Sequence, residues 1–480
     1  MPNPSCMNRI YFAGLLILFS FSGWCQVAGE NILKAGVWKG AVEISPGRNF
    51  AIALEKLGNK NGNRYFFHSI DQNSYNFAIR KVEQAGDSLR LRIGSINADM
   101  VISVNDTAAV GFFIQRSMRF PLVLKRSDQP LNKPRRPQEP AYPLPYVEEE
   151  VTIENQKEGI SLAGTITYPR KARNKTAILL IPGSGPSDRD QSIFGHKNFL
   201  VLADQLTRSG YVVLRMDDRG TGYSTGNYAT ATIKDFAVDA QICLYYLQNR
   251  KEVNTSRVGV LGHSLGADIA QYLAARSSNL NFVILMAGSA ETLSQTILRQ
   301  TEAIYQQKGA SPEAIALNSE ILKTVFSSIQ ESSGREAAVE KLTNALEPLN
   351  EKLKAIGEEQ QALIETKYPV TARSFSNLLS DVMRFDLFYD PKTSISKIRQ
   401  PVLILQGEKD IQVLPDNADA ILQSLPAQKP ASTRLVKYPS LNHLFQTCTT
   451  CTVSEYQELE ETIAPVVIGE IKNWIKAIHK

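Results

Sequence analysis

The string "VGVLGHSLGAD" at residues 258–268 sets a serine between two glycines where an apolar run gives way to a helix-forming one. A serine hydroxyl is a weak nucleophile until a base removes its proton and an acid orients that base. Gly262-x-Ser264-x-Gly266 has the spacing of a nucleophile elbow, a sharp strained turn that lifts the hydroxyl over the carboxyl end of a sheet. Small residues two before and two after let strand and helix approach closely, and the N-terminus of the helix behind favours developing negative charge. Ser264 is therefore read as a nucleophile, with a plain structural turn as the alternative.

The base can be sought by elimination, because the chain has five histidines. His68 lies in a β-rich front segment, His479 is penultimate, and His263, beside Ser264, is expected to point away from it. His196, in the loop after the first long strand, comes early in the chain. His443, in "YPSLNHLFQ", follows the last weak strand on a loop and is the best base. The orienting acid belongs between serine and base in chain order. Asp410, in "LILQGEKDIQV", sits just beyond a buried strand, at the sheet end that carries Ser264, whereas Asp416 and Asp419 read as the start of the next helix.

Two backbone N–H groups are needed to hold the oxyanion. Leu265 supplies one, and the loop "PGSGPSDRD" the other, from Ser184 or alternatively Gly185. Asp188, Arg189 and Asp190 in that loop form an ion-pair frame or else touch substrate. "RMDDRGTGYSTG", with Gly220, Gly222 and Gly226, lacks the Lys-Ser/Thr of a phosphate loop, and Asp218–Arg219 reads as a structural brace.

No metal or organic cofactor is expected. Cys448 and Cys451 form one C-x-x-C without a second pair, which argues against zinc; a loop disulfide suits an exported chain, with two free thiols as the alternative. Cys243 reads as a buried thiol, and Cys6 and Cys25 lie in or beside the leader.

These residues must be positioned by a chain of 480 residues, long enough for two domains or more. Its 43% hydrophobic and 21% charged residues suit a globular protein, and 53 basic against 48 acidic residues leave a mild +5 that gives no reason to expect nucleic acid. "MNRIYFAGLLILFSFSGWCQ" from Met7 has the charged start and short apolar run of a secretory signal, read as residues 1–25. The run is too short for a comfortable membrane span, and no later segment would cross a bilayer. The chain is thus expected in the periplasm or outside the cell; a lipid anchor at Cys25 is the weaker alternative because bulky Trp24 precedes it.

Residues 31–126 read as a small all-β barrel or sandwich, with short strands such as "GVWKGAVEI", "FAIALEKL", "NFAIRKVEQ", "SLRLRIGS", "ADMVISV" and "FPLVLKR". Residues 127–147 are a linker in which six prolines favour an extended spacer. From 148 to 480 buried strands alternate with helices, the pattern of an α/β domain with a mostly parallel sheet covered on both faces. Between about 291 and 395 the strand signals fade into Glu-, Lys- and Ala-rich helix, read as an inserted helical cap.

Residues 148–480 resemble the bacterial α/β-hydrolase serine esterases with a "GSGPxDRD" oxyanion loop. The resemblance rests on "IPGSGPSDRD", "RMDDRGTGYSTG", "GHSLG", "LQGEKDIQV" and "LNHLFQ", in that order. It implies an α/β-hydrolase fold, a helical cap over the site, and a carboxylesterase acting on short acyl esters through Ser264, Asp410 and His443. "QTCTTC" after the histidine departs from the pattern without touching those three. The front β-domain is similar to one that precedes such hydrolases in exported bacterial proteins. A serine peptidase of the same fold is the first alternative; an aminopeptidase would need carboxylates for a free amine, and Glu358 and Glu359 are available, although a solvated helix face explains them as well. A surface protein that only binds, with the β-domain as its working end, is the second. The oligomeric state is not legible.

Overall fold

The computed structural model describes residues 32–45, 47–59, 62–72, 74–105, 107–171, 175–428 and 432–479. The expected leader, with Cys6 and Cys25, lies outside them.

The front of the chain forms one antiparallel sheet of nine strands: β1 (Gly36–Ser45), β2 (Arg48–Asn59), β3 (Gly62–Ser69), β4 (Ser74–Ile79), β5 (Lys81–Ala85), β6 (Ser88–Ile93), β7 (Ala98–Val104), β8 (Ala108–Gln115) and β9 (Met118–Ser127). The order β4-β3-β2-β1-β9-β8-β7-β6-β5 puts two consecutive strands at opposite ends of the sheet. Only Arg80 joins them, so the sheet curls around a single core that includes Trp38, Leu54, Leu91 and Met100. The sequence stretch "NFAIRKVEQ" is thereby split in two, and β3 and β8 add strands beyond the six segments read from alternation. Their aromatic runs, "YFF" and "GFF", face both sides and blur the period of two.

Residues 128–146 carry no helix or strand, yet they are fastened down. Arg136 donates to the carbonyls of Gly195, Leu459 and Gln457, and the buried Tyr146 hydroxyl donates to Asp204 at 2.9 Å.

The larger sheet contains β10 (Val147–Asn155), β11 (Ile160–Tyr168), β12 (Ala177–Ile181), β15 (Val212–Met216), β16 (Val258–His263), β17 (Phe282–Met286), β18 (Val402–Gly407) and β19 (Arg434–Tyr438); β13 (Ser192–Ile193) and β14 (His196–Lys197) form a small separate pair. The order is β10-β11-β15-β12-β16-β17-β18-β19, parallel from β15 to β19 with an antiparallel hairpin at one edge. The parallel strands β12, β15, β16, β17 and β18 are buried throughout, because helices cover both faces. Helices α1 (Asn198–Arg208) and α11 (Pro465–Ile478) pack on one face, and α2 (Ile233–Gln248), α3 (Leu265–Ala274) and α10 (Asp416–Ser424) on the other. This is the α/β-hydrolase architecture that the resemblance implies.

Between β17 and β18 lie α4 (Leu293–Gln307), α5 (Pro312–Gln330), α6 (Arg335–Ala355), α7 (Gly357–Leu363), α8 (Asp381–Phe388) and α9 (Lys392–Ile395). Helices α4 to α8 share a core of their own, with Ile321, Leu342 and Leu387 fully buried. The long helical stretch "REAAVEKLTNALEPLNEKLKAIGEEQQALIE" is broken at Gly357, whose φ of +79° ends one helix and starts another. Among the described residues, no helix is long and apolar enough to cross a membrane.

Candidate active site

Ser264 stands between β16 and α3 with φ 55° and ψ −125°. A side chain other than glycine is strained there, and such strain persists only when the surroundings fix it. Its N–H donates to the Met286 carbonyl at 2.8 Å, tying the turn to β17. The flanking glycines are sterically required. A Cβ on Gly262 would lie 2.1 Å from the Gly266 carbonyl oxygen, and one on Gly266 would lie 2.1 Å from the Ile181 carbonyl oxygen. Strand and helix therefore meet backbone to backbone, with the N-terminus of α3 directly behind the hydroxyl.

Asp410 follows β18 and His443 follows β19, and the two loops are stitched together. Glu408 N–H donates to the Tyr438 carbonyl and Lys409 N–H to that of Leu441. A Cβ on Gly407 would lie 2.3 Å from the Leu441 oxygen, so the loops touch closely at that glycine. Asp410 Oδ2 and His443 Nδ1 are 2.8 Å apart, with both residues buried. Asp410 Oδ1 accepts the N–H groups of Gln412 and Val413, and Oδ2 also accepts from Gln406 Nε2. Asn442 folds the turn around the histidine by accepting from Leu444 N–H and Gln446 N–H. With Nδ1 bound to the carboxylate, Nε2 is the nitrogen left for proton transfer.

The loop after β12 passes just above the elbow. A Cβ on Gly183 would come within 3.3 Å of Ser264 Cβ. Gly185, the alternative oxyanion donor, gives its N–H to the Tyr228 hydroxyl at 2.9 Å. Among the described residues, the N–H groups of Ser184 and Leu265 have no protein acceptor, and both residues line a cavity of about 740 Å³ above Ser264. The cap helices close that cavity with Leu293, Thr296, Val382 and Met383.

The other charged residues of the two loops face one another. Arg189 donates to Asp217 through its N–H, Nε and Nη2, and also reaches the Gly164 carbonyl and Glu150. Asp190 pairs with Arg215. Burial works against the Asp190 charge, but Arg215, Arg80, Lys197 and Arg189 outweigh it and hold its pKa down. Asp188 accepts from Ser192, and burial with Asp190 alongside raises its pKa to about 6. The "DRD" charges thus form an ion-pair frame. Asp218 ties to Ser187 through both of its amide and carboxyl groups, and Arg219 pairs with Asp239 and Glu158. Gly222 is needed beside them, since a Cβ would lie 2.4 Å from Asp217 Oδ2.

The remaining histidines are structural. His196 is buried between Thr462 Oγ1 and the Tyr456 carbonyl, with burial lowering its pKa to about 4. His68 bonds to Asn76 N–H and faces Glu55 in the front domain, and His479 reaches the Ile475 carbonyl. His263 points away from the serine as expected, but it takes on a task that the sequence did not indicate. Gln191 Nε2 donates to its Nδ1, and its Nε2 donates to the His443 carbonyl, both at 2.9 Å. Gln191 and Tyr228 also escaped the sequence reading, because each acts through a partner far away along the chain, His263 and Gly185; Gln406, four residues before Asp410, escaped because no motif marks it.

Glu358 and Glu359 are exposed on α7 and do not line the cavity. The carboxyl groups that do are Asp268, Glu291 and Asp386. Burial raises Asp268 to about 8 and Asp386 to about 6, and Glu291 is paired with Arg299. Cys448 and Cys451 are joined in a disulfide; Cys243 is buried on α2, and burial pushes its thiol pKa far up.

The model of the family described as "Serine aminopeptidase, S33" matches residues 196–447, which include Ser264, Asp410 and His443. The chain is 29% identical over 305 residues to Esterase EstD of Thermotoga maritima, an alignment that covers 63% of each protein. The chain therefore spans under two thirds of that relative's length. Among solved structures, an esterase of Pyrococcus furiosus aligns over 69% of this chain and 91% of its own, at 15% identity and a TM-score of 0.41. Est1E of Butyrivibrio proteoclasticus, with ferulic acid bound, aligns over 69% of this chain and 100% of its own, at 14% identity and a TM-score of 0.41.

Proposed function

The chain belongs to the serine aminopeptidase S33 family of hydrolases, and from that premise we propose that it is an exported serine carboxylesterase that cleaves short-chain acyl esters. The observation that carries this reading is the 2.8 Å Asp410–His443 contact at the sheet end that bears the strained Ser264. His443 Nε2 takes the proton from Ser264 Oγ as the oxygen attacks the ester carbonyl. The oxyanion is held by the N–H groups of Leu265 and Ser184. The alcohol leaves with the proton from His443, and water, activated by the same nitrogen, releases the acid from the acyl-enzyme. Asp410 fixes the imidazole tautomer and stabilises its charged form.

The family description favours one second reading, an aminopeptidase. The cavity carboxylates speak against it, because binding an ammonium group calls for a free anion. Asp268 stays protonated at neutral pH and Glu291 is neutralised by Arg299, which leaves Asp386, one oxygen of which already accepts the Ile233 N–H, as the lone cavity carboxylate for an ammonium group among the described residues. The ester reading also agrees with the Thermotoga relative being an esterase by name.

The test compares the wild type with Ser264→Ala on p-nitrophenyl acetate through octanoate and on aminoacyl p-nitroanilides. Ester turnover that vanishes in the variant supports the proposal, and anilide turnover moves the assignment to peptidase. Silence on both panels, with the protein folded, favours a binding role. Fractionation of the expressing cell tests export.

A further inference from the structure

The hydrolytic loops described above lean on the front domain, and the contacts converge on a single point. Tyr223, in the loop after β15, inserts its ring against Gly94 so closely that a Cβ there would lie 2.6 Å from the ring. Its hydroxyl donates to the Arg92 carbonyl at 2.9 Å and accepts the Arg80 N–H at 3.0 Å. Its own N–H donates to Asp217 Oδ2 at 3.0 Å, the carboxylate that clamps Arg189. Arg80, the single residue between β4 and β5, donates to Glu150 Oε1 at 2.7 Å and lies 3.9 Å from Asp190 Oδ2. Glu150 in turn pairs with Arg189. Lys197 reaches back to the Asn76 carbonyl on β4. The gap enclosed by these groups has a volume of about 20 Å³, room for one water at most.

We propose that the front sheet domain is a positioning element of the hydrolytic site, holding residues 183–192 through Arg80 and Tyr223 so that the Ser184 N–H and the His443 carbonyl keep their places. The path is continuous. Arg80 and Tyr223 fix Glu150 and Asp217, which fix Arg189. Two residues on, Gln191 holds His263, and His263 holds the His443 carbonyl. Partly paired buried charges are costly, so the cluster keeps one geometry only while both domains supply their partners. Placement errors of an ångström far from the reacting atoms reduce turnover without weakening substrate binding.

This inference rests on the serine-hydrolase reading, and its test separates the two. The full chain is prepared as wild type, Tyr223→Phe, Arg80→Met and Arg80→Lys, with Phe112→Ser on the exposed outer face of β8 as a control. Turnover of p-nitrophenyl acetate is expressed per active site titrated with a phosphonate, and hydrogen exchange is followed in peptides covering 183–192. The expectation is a fall in kcat of roughly tenfold for Tyr223→Phe and Arg80→Met, with KM within about twofold. Exchange across 183–192 speeds up, Arg80→Lys recovers part of both effects, and Phe112→Ser matches the wild type. Unchanged kcat per titrated site with unchanged loop exchange overturns the positioning role, as does a loss shared by Phe112→Ser. If the wild type cleaves no ester, the ester reading fails while the exchange measurement still decides the inference.

Discussion

His263 Nε2 donates a hydrogen bond to the backbone carbonyl of His443, 180 residues further along the chain, at 2.9 Å. The two imidazole centroids are 4.9 Å apart. Gln191 donates to the other nitrogen of His263, so the ring is the neutral tautomer that carries its hydrogen on Nε2. Burial, with His443 alongside, lowers its pKa to about 3 and keeps it neutral. The residue before Ser264 thus fixes the height of the loop that carries His443. His263→Leu removes the donor and leaves two polar groups unpaired. A fall in kcat of about tenfold or more, with KM within about twofold, is expected in steady-state ester kinetics.

Asp410→Asn probes the next link. Its oxygens accept from Gln412 N–H, Val413 N–H, Gln406 Nε2 and His443 Nδ1. An amide cannot accept at both ends, so its NH₂ faces a donor or forces the imidazole into the wrong tautomer. A fall in kcat of about 10⁴-fold near neutral pH is expected, with a circular-dichroism spectrum like that of the wild type.

The neutral buried histidines set an acid limit on stability. His263 and His196 have folded pKa values of about 3 and 4, below the usual value near 6.5 in an unfolded chain. The unfolded state therefore binds more protons between those values, and stability is present above about pH 6.5 and is lost as pH falls through the folded pKa values. Thermal melts between pH 7 and 4 should show Tm dropping over this range. His196→Gln should flatten the drop.

The strained turn at Ser264 and the placement of Asp410 and His443 on loops after buried or weak strands were legible because each is local, a strand end followed by a short loop. The β-α alternation gave the parallel sheet for the same reason. What the sequence concealed was pairing at a distance. Nothing in "NFAIRKVEQ" marks Arg80 as the bridge to Glu150, and nothing in "GTGYSTG" aims Tyr223 at Arg92, which lies 131 residues away. The split of the long cap stretch at Gly357 was visible as a glycine, but a glycine alone does not announce the φ of +79° at which one helix ends and the next begins. That Leu293 and Met383 pack against the cap core and also line the cavity follows from tertiary arrangement alone.

The glycines of the elbow should separate sharply from a glycine nearby. Gly262→Ala and Gly266→Ala each drive a methyl group into a carbonyl at 2.1 Å, which only backbone movement relieves. A loss of about 3 kcal/mol or more is expected in denaturant titrations. At Gly185 a methyl group meets open space, and only the φ of +87° opposes it. Gly185→Ala should cost about 1 kcal/mol.

Asp268 supplies a test of opposite sign. It lines the cavity one helical turn after Ser264 and accepts the Ser289 N–H at 2.9 Å, and burial raises its pKa to about 8. The folded state keeps its proton where the unfolded state has lost it. Its contribution to stability is therefore full below about pH 4, the unfolded value, and declines as pH rises through the folded pKa. Asp268→Asn imitates the neutral acid at every pH. Its Tm should match the wild type near pH 3.5, move above it as pH rises past 4, and exceed it at pH 8.5 by several degrees. Ester turnover at pH 7 should stay within about threefold of the wild type, because the group is already uncharged there. A charged Asp268 at pH 7 would reverse the pattern, with the asparagine variant losing stability at neutral pH and gaining nothing in alkali.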